Sequence, residues 1–188
     1  MKKGEVLVVI DMQNDFVTGA LGSNQAQEIV PKVCEKIKNT TANKIFYTID
    51  THELPFYHDT IEGKEIPDHC LYLSDGWYIE PKIACAFKDT LIDVEEIEKN
   101  TFGSIDELPD AICAFCAGNK CAIDDLTIQV VGLCTDICVI SNVLILRAAF
   151  PRAKIVVDAE CCAGSTPARH NWALQIMKAN CIEVINDI

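Results

Sequence analysis

Few side chains in this sequence could do covalent chemistry, and most of them stand at the end of an apolar run. Cys138 lies in GLCTDICVISN, just after the β-branched run IQVVGL at 128–133. Thr135 or Asp136 is a natural helix N-cap, which puts Cys138 in the first turn of the helix that follows. There the helix dipole and unpaired N–H groups favour a thiolate and could also receive an oxyanion. A small core cysteine on an apolar helix fits the same position. Asp11 ends the first apolar run, EVLVVI at 5–10. It reads either as an acid exposed to a crevice or as a turn or cap residue, and Asp15 could take the capping role instead. Lys99 follows the acids Asp89, Asp93, Glu95, Glu96 and Glu98. On spacing alone the lysine reads as a surface residue and the acidic run as a solvated face.

A second group has the chemistry of metal ligands. Asp50 and His52 form D-T-H at the end of NKIFYTID (43–50), and His69 follows in IPDHC. Two imidazoles and a carboxylate suit zinc, iron or manganese. His58 or Glu62 could add a fourth ligand. Other signals carry less. Cys113 and Cys116 form a C-x-x-C with no second pair, inside AICAFCA, which reads as a buried helix. The adjacent Cys161 and Cys162 cannot easily form a relaxed bridge. The sequence has no G-x-S-x-G elbow, no P-loop and no G-x-G-x-x-G.

The elements that must position these groups alternate. Strands are predicted at 5–10, 43–50, 128–133, 154–158 and 182–185, with a weaker one before Lys99. Helices are predicted at 25–39, 136–150 and 167–180. Pro31 fits the first of these only near its first turn. The helix at 136–150 is apolar nearly all round and should be buried on several sides. Such alternation argues a parallel sheet covered by helices, with ligands bound outside the carboxyl ends of the strands. Asp11, Asp50 and Cys134 each follow a predicted strand, so three polar groups converge on one crevice. Residues 51–88 break the alternation. They read as a long, aromatic-rich connection of functional type, a metal-site and lid loop within a single domain spanning 1–188.

Composition sets the class. The chain has 188 residues, 49% apolar and 23% charged, which excludes disorder. Its formal charge of −12 repels phosphate backbones and anionic lipid, so neither nucleic acid nor a membrane is an expected partner. Eleven cysteines are an odd number, so a monomer keeps at least one free thiol. The N-terminal apolar run is too short for a signal-peptide core, and no run reaches the roughly 20 residues of a membrane span. A cytoplasmic location with reduced thiols is the expectation.

Taken in order, VVIDMQNDF (8–16), DTH (50–52), PDHC (67–70), EKNTFGSID (98–106) and GLCTDICV (132–139) resemble the isochorismatase-like cysteine hydrolases. Their spacing is most similar to the nicotinamidase branch, and the resemblance runs on through DAECCAGSTPARHNWAL (158–174). It implies a Rossmann-like, three-layer α/β/α fold with a mostly parallel six-stranded sheet. It implies a catalytic triad of Asp11, Lys99 and Cys138, which replaces the surface reading of Lys99. It also implies a cis peptide between Leu133 and Cys134, and an oxyanion hole from the backbone N–H groups of Cys134 and Cys138. Asp50, His52 and His69 become ligands of one divalent metal ion, zinc, iron or manganese, with Glu62 preferred to His58 as the fourth. No organic cofactor is implied. Phe16 and Trp77 are the expected substrate contacts.

The implied reaction is amide hydrolysis, nicotinamide plus water giving nicotinate and ammonia through a thioester on Cys138. Another small amide, such as a carbamoyl or ureido compound, is the alternative. Isochorismate hydrolysis and a non-catalytic binding module stand behind both. The partner is a small-molecule amide, and a homo-oligomer is expected because a second subunit would cover part of the apolar helix. The sequence departs from the family at Cys134, where a small residue, often alanine, is usual. A Cys134–Cys138 bridge would silence the site under oxidation.

Overall fold

The structure, a computed structural model, describes residues 4–187. Its centre is a parallel sheet of β1 (Glu5–Ile10), β2 (Lys44–Asp50), β3 (Val94–Lys99), β4 (Thr127–Leu133), β5 (Lys154–Ala163) and β6 (Glu183–Ile185). The strand order is β3-β2-β1-β4-β5-β6, and every pair is parallel. The order reverses at β1, so the carboxyl ends of β1, β2 and β4 surround the switch point where such sheets bind ligands. The helices are α1 (Asn14–Val17), α2 (Asn24–Asn39), α3 (Phe56–Asp59), α4 (Glu62–Glu65), α5 (Pro81–Asp89), α6 (Glu107–Asn119), α7 (Ile140–Ala149) and α8 (Pro167–Ala179). Among the described residues no helix is long and apolar enough to cross a membrane.

Strand periodicity divides the core in two. Val6, Val8 and Ile10 of β1 face a cluster with Ile112 of α6, Val143 and Leu146 of α7, and Leu174 and Met177 of α8. Leu7 and Val9 face the other way, onto Ile29, Val33 and Ile37 of α2 and Ile83 of α5. Both faces of β1 are covered, which is why its sequence is a continuous apolar run. The acidic run belongs to β3, an edge strand whose Glu95, Glu96 and Glu98 are exposed. Charges there oppose pairing with another chain's edge.

Several boundaries differ from the sequence expectation. Pro31 lies well inside α2, not in its first turn. Its face of the helix is exposed, so water can reach the carbonyl it leaves unpaired, while Ile29, Val30, Val33 and Ile37 on the opposite face stay buried. β5 runs on to Ala163, five residues past the predicted end. The region 51–88 is not one loop, because it holds α3, α4 and most of α5, whose Glu80 cap accepts from Lys82 N and Ile83 N. The predicted helix at 136–150 opens as a π-turn over Thr135–Val139 before α7 begins. Its Ile137, Ile140, Leu144 and Ile145 are only half-buried.

Gly132 is required where β4 meets β1. Its φ is +123°, and a Cβ there would stand 2.1 Å from Ile10 O. No other residue type allows this conformation so close to a neighbouring backbone.

Candidate active site

Asp11 is the first residue after β1. It has a φ of +46°, which turns the chain out of the strand, and its carboxylate is wholly buried. Thr48 Oγ1 of β2 donates to Asp11 Oδ1 at 2.6 Å. Asp11 Oδ2 lies 2.8 Å from Lys99 Nζ. The contact is a buried ion pair, on the carboxylate oxygen that Thr48 does not bond. Lys99 ends β3 and is buried, and its ammonium also lies 3.2 Å from Asp50 Oδ1 and 4.0 Å from Cys138 Sγ. One cation thus joins an acid, a thiol and the second acidic cluster.

Burial sets the protonation of this group. It pushes the Asp11 carboxyl above its usual range, with Lys99 opposing and Asp50 reinforcing. Burial alone would lower the Lys99 pKa, but Asp11, Cys138 and Asp50 outweigh it and keep the ammonium charged. The Cys138 thiol is pushed well above its ordinary value by burial, which Lys99 only partly offsets. Burial thus opposes the thiolate that the helix dipole favours. Burial and the nearby Asp11 and Asp50 carboxylates favour the neutral thiol, which gives a neighbouring base a role.

The second cluster brings together Asp50, His52, Glu62 and His69. His52 Nε2 stands 3.1 Å from Asp50 Oδ2 and 3.6 Å from Glu62 Oε1. His69 Nε2 stands 3.5 Å from Asp50 Oδ2 and 3.6 Å from Glu62 Oε1. Tetrahedral ligands about 2.1 Å from a metal are separated by about 3.4 Å, so the spacing fits a divalent ion. His69 Nδ1 donates to Pro67 O at 2.8 Å, which in the neutral ring leaves the lone pair on Nε2, the atom that faces the carboxylates. Burial and the Asp50 charge raise the Glu62 pKa, a repulsion that a cation between the two would relieve. His58 lies outside the cluster: it is exposed, with Nε2 2.7 Å from Asp68 Oδ1. The short helix α4 is what turns Glu62 inward.

A cavity of about 380 Å³ opens onto both clusters. Cys134, Cys138, Asp50, Glu62 and His69 line it, as does Phe16, which meets the His69 ring edge-on with centroids 5.4 Å apart. The two residues whose backbone N–H groups are expected to receive an oxyanion are therefore wall residues. The Leu133–Cys134 peptide is cis. Both cysteines are free thiols, and burial pushes Cys134 up to about 12. Trp77 is not on the wall, contrary to expectation. Its Nε1 donates to Thr51 Oγ1 at 2.8 Å, and its ring packs edge-on against Tyr72 and Tyr78.

Three supporting residues gave no signal in the sequence, because each acts across long separations. Thr48 orients Asp11. Gln13 Nε2 donates to Asp50 O and Trp77 O, and its Oε1 accepts from Asp50 N, which pins the end of β2. Asn142 donates to Cys138 O and Phe102 O and accepts from Ser104 N, tying the thiol turn to the loop after Lys99. Asp15 does not cap a helix but accepts from Cys70 N and Ala20 N. Gln13 and Asp15 flank Asn14 within the VVIDMQNDF motif, which was the one available hint.

The fold recurs in solved structures. A nicotinamidase/pyrazinamidase from Bacillus subtilis matches with a TM-score of 0.76 at 22% identity, over 96% of this chain and 98% of that one. A pyrazinamidase/nicotinamidase from Streptococcus mutans matches at 0.77 and 22%, over 97% and 100%. A pyrazinamidase of Pyrococcus horikoshii, solved in complex with zinc, matches at 0.73 and 23%, over 96% and 98%. No curated protein matches the sequence. The isochorismatase domain model matches residues 5–187, and with nearly every described residue inside that match, the chain belongs to the isochorismatase family of hydrolases.

Proposed function

We propose that this protein is a metal-assisted cysteine amidohydrolase and that nicotinamide is its first candidate substrate. One observation carries the reading: Lys99 Nζ stands 2.8 Å from Asp11 Oδ2, 4.0 Å from Cys138 Sγ and 3.2 Å from Asp50 of the metal cluster. A purely structural ion pair has no need of a thiol beside it. In this reading Asp11 Oδ2 takes the Cys138 proton as sulfur attacks the amide carbonyl. The backbone N–H groups of Cys134 and Cys138 receive the oxyanion. Asp11 returns the proton to the departing ammonia, and Lys99 holds the charge balance throughout. Water, deprotonated by Asp11, then opens the thioester and releases the acid.

Asp50, His52, Glu62 and His69 would hold the metal, which when bound supplies an anchor for a donor atom of the substrate. The similar solved structures named as nicotinamidases or pyrazinamidases, one of them with zinc, support this choice. The test is ammonia release from nicotinamide by metal-reconstituted protein, with a chelated sample and Cys138→Ala beside it. Release that disappears in both controls supports the reading. No release from nicotinamide or from a carbamoyl and ureido panel overturns it.

A further inference from the structure

Tyr57 touches both imidazoles of the metal cluster and takes no part in the chemistry just proposed. It is 2% exposed, although its neighbours Phe56 and His58 are exposed. Its ring stacks on His52, with centroids 4.2 Å apart and planes tilted by 31°. It meets His69 edge-on, with centroids 5.6 Å apart. Its hydroxyl oxygen lies 3.2 Å from His69 Nδ1 and 3.4 Å from Ile66 O. With His69 in the tautomer that leaves the Nε2 lone pair free, the Nδ1–H is shared between Pro67 O and the Tyr57 oxygen, and the phenol O–H donates to Ile66 O.

The local backbone holds that side chain inward. Tyr57 N donates to Glu53 O at 2.9 Å, and Thr60 N and Thr60 Oγ1 donate to Tyr57 O at 3.0 and 2.7 Å. Thr60 Oγ1 in turn accepts from Gly63 N at 2.9 Å. Gly63 packs so closely that a Cβ there would stand 2.2 Å from Tyr57 O. Gly63 follows Glu62, so the turn that carries Tyr57 also seats the carboxylate ligand. His52 needs such a support, because it is not a wall of the substrate cavity but borders a second one of about 360 Å³, which Tyr57 shares. A phenylalanine would fill the same space. A phenol buried this deeply costs free energy unless its oxygen is bonded, and here the oxygen is spent on a ligand ring and on the segment that leads into it.

We infer that Tyr57 is the positioning residue of the metal centre: its hydroxyl fixes the His69 tautomer and its ring fixes the plane of His52, so that both Nε2 atoms face Asp50 and Glu62. The inference rests on the metal-binding part of the proposed function and not on the choice of substrate. Outer-shell partners of metal ligands change affinity by about 10–100-fold.

The experiment measures zinc affinity by competition with a chromophoric chelator, and the visible spectrum of the cobalt(II)-loaded protein, in wild type, Tyr57→Phe, Tyr57→Leu and Glu62→Ala. Unfolding midpoints of the metal-free proteins report structural damage separately. Tyr57→Phe should keep the metal-free midpoint within a few degrees of wild type and bind zinc about tenfold more weakly. Tyr57→Leu, which loses the stack as well, should bind about 100-fold more weakly and shift the cobalt bands. A merely structural tyrosine would lower the metal-free midpoint and leave zinc affinity and the cobalt bands as in wild type. A loss of less than about threefold in Tyr57→Phe overturns the inference. If wild type binds no zinc, or Glu62→Ala binds it as tightly as wild type, the metal reading fails and the inference with it. Binding that needs Glu62 but not Tyr57 overturns the inference alone.

Discussion

Thr48→Val tests the reasoning about Asp11 with the least disturbance of shape. Valine replaces a hydroxyl by a methyl on a fully buried residue of β2. Asp11 N keeps its bond to Thr48 O at 3.2 Å and loses only its shared 3.2 Å contact with Thr48 Oγ1, so the main loss is the 2.6 Å bond onto Asp11 Oδ1. A hydrogen bond to a charged group contributes about 1.5–3 kcal/mol. For a chain of this length that corresponds to a fall of about 3–12 °C in Tm. If the bond is fully made in the transition state, the same energy limits the loss in kcat/KM to about 10–150-fold.

The pH profile provides the sharper readout. The Asp11 carboxyl already sits above its usual range because burial outweighs Lys99, and the Thr48 bond is among the interactions holding it down. Removing that bond raises it further. A base works only when ionised, so activity is lost as pH falls through its pKa, and the acid limb must move to higher pH in the variant. Ammonia release measured across pH, with urea unfolding on the same preparations, reads both effects. An unmoved acid limb together with an unchanged unfolding midpoint would refute the assignment of Asp11 as the base oriented by Thr48.

Three further outcomes follow from the same geometry. Cys138→Ala should abolish turnover while leaving Tm within a few degrees, whereas Cys134→Ala should keep kcat/KM within about threefold, since only its backbone is asked to act; mass spectrometry after peroxide treatment shows whether the two thiols bridge. Elemental analysis should find one divalent ion per chain in wild type and His58→Ala, and at least about tenfold weaker binding in Glu62→Ala, because Glu62 faces both imidazoles and His58 faces Asp68. Gly132→Ala forces a Cβ to within 2.1 Å of Ile10 O at a φ of +123°, so it should cost more than about 3 kcal/mol and give little folded protein by circular dichroism.

Much of this protein was legible in one dimension, because the relevant physics is local. Parallel strands buried on both faces need β-branched runs, so β1, β2 and β4 stood out within a residue of their observed ends. A polar residue directly after such a run must lie at the carboxyl edge, which brought Asp11, Asp50 and Cys134 to one crevice before any contact was known. The aromatic and imidazole content of 51–88 marked it as functional. Its helices were not legible, since α3 and α4 are single turns too short for a period to show.

What tertiary structure alone decided is charge state and selection among equals. Lys99 reads like any lysine after an acidic run until β3 pairs with β2, setting Lys99 beside Asp50 in register. Glu62 is only the preferred of two possible ligands until α4 turns it inward and Asp68 holds His58 at the surface. Trp77 looks like a pocket aromatic until Thr51 accepts its N–H. The Cys138 thiol follows the helix dipole in sequence and the surrounding burial in the fold. In each case local sequence determines which groups exist and on which strand end they stand. Desolvation and pairing decide which of them carry charge and which face the cavity, and both depend on neighbours brought from distant parts of the chain.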